Sequence, residues 1–198
     1  MIAIIDYGAG NLFSVKNALN YIGFGSFFSK NADELRKADK IILPGVGAFP
    51  DAMKMLNASG LIPTIKEQAL KKPLLGICLG MQILFEKGYE FYECEGLGLI
   101  KGSVKKIESH GLKIPHIGWN DLTALTPCPL MKDVAELSYV YFDHSFCAET
   151  ADEHIAAYTT YGQRIPALVM SGMVYGAQYH PEKSGDIGLT MLKNFCEL

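Results

Sequence analysis

Residues 73–86 read Pro-Leu-Leu-Gly-Ile-Cys-Leu-Gly-Met-Gln-Ile-Leu-Phe-Glu, and the fold turns on how the chain passes Cys78. The apolar run Leu74–Ile77 has the composition of a buried strand, and the apolar, helix-favouring residues after Gly80 predict a helix driven into the core. Cys78 then stands at a strand-to-helix turn between Gly76 and Gly80. Such a G-x-C-x-G turn is the cysteine counterpart of G-x-S-x-G, whose glycines let the backbone bend sharply under an exposed nucleophile. The N–H of the next residue, Leu79, would face a developing oxyanion. The same five residues also describe a small buried thiol beside two packing glycines.

Upstream, the pattern repeats as strand and helix. Met1–Asp6 is β-rich, and after a glycine turn Asn11 can cap a helix whose stripe is Leu12, Val15, Leu19 and Ile22. Phe24–Ser29 and Lys40–Leu43 are further strand candidates, separated by a polar, helical connector at Asp33–Lys37. Pro44-Gly45-Val46-Gly47 follows the Lys40–Leu43 run, so two glycines sit at a strand's carboxyl end, where backbone N–H groups can approach a ligand or simply close a tight loop. Phe49, Ala52, Met53 and Leu56 mark one buried helix face, and Gly60–Lys72 predicts another helix. This alternation predicts a mostly parallel central sheet with helices on both faces, with its active edge at the strands' carboxyl ends.

Downstream of Gly96 the texture changes. Leu99–Ile107, Ile114–Leu122, Tyr139–Phe142, Ile155–Thr160, Leu168–Met170 and Val174–Tyr179 read as short strands without intervening helices, which predicts antiparallel strands added to the parallel core. Ser171-Gly172 suits a hairpin turn, and Ser184–Leu198 predicts a closing helix with Ser184 as its cap.

At 198 residues the chain fits one domain, 1–198. A formal charge of −3 and no basic run give no reason to expect nucleic acid or an anionic membrane as partner. No stretch is apolar for the ~20 residues of a membrane span, and Met1–Ile5 lacks the features of a signal peptide, so the expectation is a cytoplasmic protein. Five scattered cysteines suggest neither a disulfide framework nor a metal site.

A nucleophilic cysteine needs a base held by a third group. Of the five histidines, only His180 has a carboxylate at a useful short spacing, in Gln178-Tyr179-His180-Pro181-Glu182, where residues two apart in an extended segment point the same way. His144 has none two residues on and reads as structural or substrate-positioning. Cysteine turn, glycine-rich strand end and H-x-E together form nucleophile, oxyanion donors, base and orienter.

With these pieces in place the chain resembles the class I, triad-type glutamine amidotransferases. Within them it is most similar to the branch of glutaminase subunits serving imidazole glycerol phosphate synthases. The residues behind the match are Ile5–Asn11, Leu43–Phe49, Gly76–Gln82, Pro115–Asn120, Tyr141–Phe146 and His180–Ser184. Met81 favours that branch, since GMP and anthranilate synthase glutaminases typically carry histidine there. Asp143 and Phe146 depart from the usual pattern, which has an apolar residue and often tyrosine at those positions.

The resemblance implies a flavodoxin-like amidotransferase fold and a division of labour. Cys78, His180 and Glu182 would be catalytic, and the backbone of Val46, Gly47 and Leu79 would form the oxyanion hole. Gly45, Gln82, Ser145 and Phe146 would hold glutamine. Asn11, Trp119, Asn120 and Lys183 would face a (β/α)8-barrel cyclase subunit in a heterodimer that receives the ammonia. No cofactor or metal is implied. Two other readings remain at this stage: an independent peptidase or γ-glutamyl hydrolase, and a catalytically idle scaffold.

Overall fold

The computed structural model describes residues 1–108 and 110–198. The first half alternates: β1 (Ile2–Ile5), α1 (Leu12–Tyr21), β2 (Ser26–Ser29), α2 (Ala32–Lys37), β3 (Lys40–Gly45), α3 (Phe49–Ala58), α4 (Ile62–Ala69) and β4 (Leu74–Cys78). One helical turn, α5 (Leu79–Gln82), leads to β5 (Phe85–Gly88), β6 (Cys94–Glu95), β7 (Ile100–Lys106), β8 (His116–Asp121) and β9 (Thr123–Ala124). The chain continues through β10 (Tyr139–His144), β11 (Phe146–Glu149), β12 (Ile155–Tyr161), β13 (Gln163–Ser171), β14 (Val174–Ala177) and α6 (Gly185–Glu197).

The main sheet has the order β2-β1-β3-β4-β14-β13-β12-β9. The first five strands are mutually parallel, and β13, β12 and β9 extend them antiparallel. That arrangement matches the fold class expected from the sequence. The parallel part follows a doubly wound order, which places ligands at the strands' carboxyl ends.

Strand alternation sorts the core into two layers. Ala3, Ile5, Ile41 and Leu43 face α2, α3 and α4, meeting Leu35, Leu56 and Ile65. Ile2, Ile4, Ile42 and Leu75 face α1 and α6, meeting Val15, Leu19, Leu192 and Phe195. Each fully buried side chain of this size contributes about 1.5–3 kcal/mol. A second sheet, β11-β7-β5-β6, closes over the first layer, and β8 pairs with β10 as a separate ribbon beside the carboxyl ends.

Several local readings change. The helix expected after Gly80 lasts one turn before the chain re-extends into β5, because Ile83, Leu84 and Phe85 are buried in the first layer, where the second sheet closes over it. Asn11 precedes α1 but takes the Ser14 hydroxyl at 2.8 Å and caps no N–H. Ser184 precedes α6, yet its Oγ donates to the His180 carbonyl at 2.6 Å and accepts from Tyr141 N at 3.0 Å. The β13–β14 hairpin turns at Gly172-Met173, since Ser171 already pairs with Val174. Among the described residues, no helix is long and apolar enough to cross a membrane.

Candidate active site

Three adjacent strands, β3, β4 and β14, end on the same edge of the sheet, and each delivers one part of the site. At the end of β4 the chain turns so sharply that Cys78 adopts φ 54, ψ −112. This is strained for a non-glycine residue, at a cost of about 1–3 kcal/mol. The neighbours permit it by being glycine. A Cβ on Gly76 would lie 2.5 Å from the Gly80 carbonyl oxygen, and one on Gly80 would overlap the Leu43 carbonyl oxygen. A Cβ on Gly45 would lie 2.6 Å from Gly80 N. Close approach of β3, β4 and the turn therefore fixes the thiol in place.

Beyond β14 the chain supplies His180. Its main-chain N–H donates to the Tyr141 carbonyl at 2.9 Å, and its carbonyl accepts from Ser184 Oγ, so the backbone on both sides of the ring is anchored. Its Nδ1 lies 2.8 Å from Glu182 Oε1, with both side chains almost wholly excluded from solvent. The pairing is made by a 3-10 turn over Pro181–Lys183, not by the extended segment expected from the sequence. Burial opposes charge on the ring, but Cys78 and Glu182 outweigh it, and His180 is pushed up to about 10. The carboxylate accepts only, so Nδ1 carries a proton and Nε2 is the atom that exchanges one.

Cys78, Leu79 and His180 share a cavity of about 290 Å³ with Val46 and Gly47, which end the β3 turn, and with Gln82. Ser145, Phe146 and Lys183 also line it, while Glu182 stands behind His180. The model for "Glutamine amidotransferase class-I" matches residues 3–198. The chain belongs to the class-I glutamine amidotransferases.

Curated relatives agree over the whole length. A protein of Bacillus cereus (strain B4264), "Imidazole glycerol phosphate synthase subunit HisH", is 49% identical over 196 residues, covering 98% of this chain and 93% of the relative. "Imidazole glycerol phosphate synthase subunit HisH 1" of Campylobacter jejuni subsp. jejuni serotype O:23/36 (strain 81-176) is 50% identical over 201 aligned residues, covering 100% of both. Among solved structures, PurLQS from Thermotoga maritima superposes with a TM-score of 0.80 at 23% identity, covering 99% of this chain and 97% of the other. A structure described as a glutamine amidotransferase superposes at 0.76 with 18% identity, covering 99% and 100%. These two likenesses show a shared fold.

Gly45 is buried under Gly80 and does not line the cavity. Gln82 is itself buried, and its Nε2 donates to the Phe146 carbonyl at 2.9 Å and to Gln178 Oε1 at 3.0 Å. Asn11, Trp119 and Asn120 lie outside the cavity, with Trp119 54% exposed. That exposure decides between a core tryptophan and a surface one. On the same outward face of β8 and β10 lie the exposed Ile117 and Tyr139, and Lys183 Nζ sits 5.8 Å over the Tyr141 ring.

Three residues escaped the sequence reading. Gln178 is fully buried with Nε2 4.0 Å from Cys78 Sγ, and its i, i+2 spacing from His180 was the available signal. Glu90 lines the cavity and takes the Phe49 N–H at 2.7 Å, from a loop that no periodicity marks. His116 contacts His144, whose Nδ1 donates to the Phe146 carbonyl at 2.8 Å. Burial pushes His144 down to about 3, so it is a neutral donor and not a base for Cys78.

Proposed function

We propose that this chain is the glutaminase subunit of an imidazole glycerol phosphate synthase. In this reading residues 1–198 form one amidotransferase domain that works in the cytoplasm as a heterodimer with a cyclase subunit. The observation that carries it is a buried His180–Glu182 pair and a positive-φ Cys78 on one small cavity. Full-length identity of about half to relatives of that name supports the branch.

The geometry supports the following steps. With the Cys78 proton already on His180 Nε2, where Cys78 and Glu182 keep the ring protonated, the sulfur forms a bond to the side-chain carbon of glutamine. Negative charge moves to the amide oxygen, which meets the N–H of Leu79 and the backbone of Val46 and Gly47. As the C–N bond breaks, His180 returns its proton to nitrogen and ammonia leaves, with a γ-glutamyl thioester on Cys78. Water, deprotonated by His180, attacks the thioester, the C–S bond breaks, glutamate leaves, and the proton taken from water restores the resting Cys78–His180 pair. Gln82 and the Ser145–Phe146 turn hold the substrate, and the unshared Glu90 oxygen can receive its ammonium group.

Ammonia then passes to the cyclase, which makes imidazole glycerol phosphate and aminoimidazole carboxamide ribotide. The exposed Trp119, with Asn11 and Lys183, offers the docking face, since aromatic anchors commonly dominate interfaces, while the Asn120 amide turns to the inner side of β8 behind it. The test assays the complex with two nitrogen sources. Cys78→Ala should abolish glutamine-dependent synthesis and leave ammonia-dependent synthesis nearly intact. Unaided cleavage of peptides or folylpolyglutamate by the chain alone would sink this reading.

A further inference from the structure

Between the cavity and Asn120, on the face of β8 opposite Trp119, runs a line of polar groups whose hydrogen-bond direction is fixed at both ends. At the inner end the Phe146 carbonyl accepts from His144 Nδ1 at 2.8 Å and from Gln82 Nε2 at 2.9 Å. A carbonyl only accepts, so His144 carries its proton on Nδ1, and in the neutral ring Nε2 is an acceptor. That acceptor faces His116 Nδ1 at 3.0 Å, which therefore holds the proton of the second ring. His116 Nε2 is left to accept from Asn120 Nδ2 at 3.3 Å. Main-chain groups orient the Asn120 amide: Nδ2 donates to the Thr160 carbonyl at 3.1 Å, and Oδ1 accepts from Asp121 N at 3.0 Å.

Both histidines are buried, and His116 is stacked between Phe142 at 4.7 Å and Tyr161 at 4.1 Å. Among the described residues neither ring has a carboxylate partner. Burial pushes His116 down to about 4, so both rings are neutral and only one proton order satisfies every atom in the line.

We propose that His116 and His144 are positioning residues, a one-directional hydrogen-bond relay by which Asn120 on β8 sets the placement of the Phe146 carbonyl and so of the glutamine-holding turn. The inference rests on the reading above, in which glutamine sits at Ser145 and Phe146 and the synthase partner docks on β8. A partner that docks on the Trp119 face and shifts β8 carries the Asn120 amide with it and moves His116 within its aromatic slot, and His144 and Phe146 follow.

Two experiments test it. In the full chain with nitrogen-15 labelled histidine, NMR should find His116 and His144 both protonated on Nδ1. Asn120→Ala should displace the His116 ring signals strongly and those of His144 less. Either ring protonated on Nε2, or titrating near the ordinary value of about 6.5, overturns the relay.

In the complex, His116→Asn keeps a donor at the Nδ1 position and drops the acceptor for Asn120, while His116→Phe drops both. Glutamine turnover is expected to rise when the cyclase and its ribonucleotide are added to the chain, and this stimulation should fall roughly tenfold in His116→Asn, the scale of one buried hydrogen bond. In His116→Phe the KM for glutamine should also rise, more than kcat falls. Thermal melting confirms that both variants are folded. Undiminished stimulation in His116→Asn, or equal losses in both variants, overturns the proposal. Failure of the underlying reading shows differently, as a wild-type chain that the cyclase does not stimulate at all.

Discussion

Gly80 lies so close under Leu43 that any side chain on it would overlap the Leu43 carbonyl oxygen. The turn that carries the thiol and the strand that leads to Val46 and Gly47 are thereby one packed unit. Gly80→Ala should push β3 away from the turn, destabilise the fold by about 1–3 kcal/mol as overpacking does, and remove most glutaminase activity. Urea denaturation and a glutamine assay on the complex would read both losses, and a variant as active and stable as wild type would contradict this account.

Glu182 holds His180 through a single 2.8 Å contact between two buried side chains. Glu182→Gln presents an amide that can satisfy the wrong ring tautomer, so kcat should drop by about 10²–10⁴-fold with little change in KM. Steady-state kinetics of the complex with glutamine measures this.

Cys78 and Glu182 keep His180 protonated against burial. Because the folded value of about 10 exceeds the unfolded one, the associated stability is complete below about pH 6.5 and is lost as pH rises through about 10. Cys78→Ala removes the first of the two raising influences. NMR titration of the His180 ring should show a lower value in the variant and an earlier loss of stability on the alkaline side.

His116 and His144 have the opposite sign. Their folded values lie below the unfolded one, so their contribution is intact above about pH 6.5. It declines as pH falls toward about 4, with a slope of up to about 1.4 kcal/mol per pH unit for each ring. Urea midpoints at pH 7 and pH 5 should differ more in wild type than in His116→Asn.

Gln178 is the acceptor for the buried Gln82 amide. Gln178→Leu strands that donor and should cost about 1–3 kcal/mol, with a raised KM for glutamine as Gln82 and the Phe146 carbonyl lose registration. Denaturation and kinetics together separate this from a loss of folding alone.

The parallel core was legible because its strands are short apolar runs divided by amphipathic helices, and Cys78, His180 and Glu182 stood out by spacing and chemistry. The second sheet was not. Ile83, Leu84 and Phe85 continue an apolar run after Gln82, and nothing local says that the helix stops after one turn to feed β5. Glu90 and the His116–His144 contact were hidden for a related reason. They depend on β10 folding beside β8 and on β5 returning under β7, pairings whose partners are distant in sequence.

Nucleophile and base meet because β14 lies beside β4, with Val174 opposite Leu74, a separation of one hundred residues along the chain. Synthesis proceeds from the amino terminus, so a nascent chain presents Cys78 long before it owns His180. Contacts of such long range form late, because the intervening loop must close first. The emerging polypeptide thus carries an unactivated thiol, and glutamine is safe from it until the last strand is laid down.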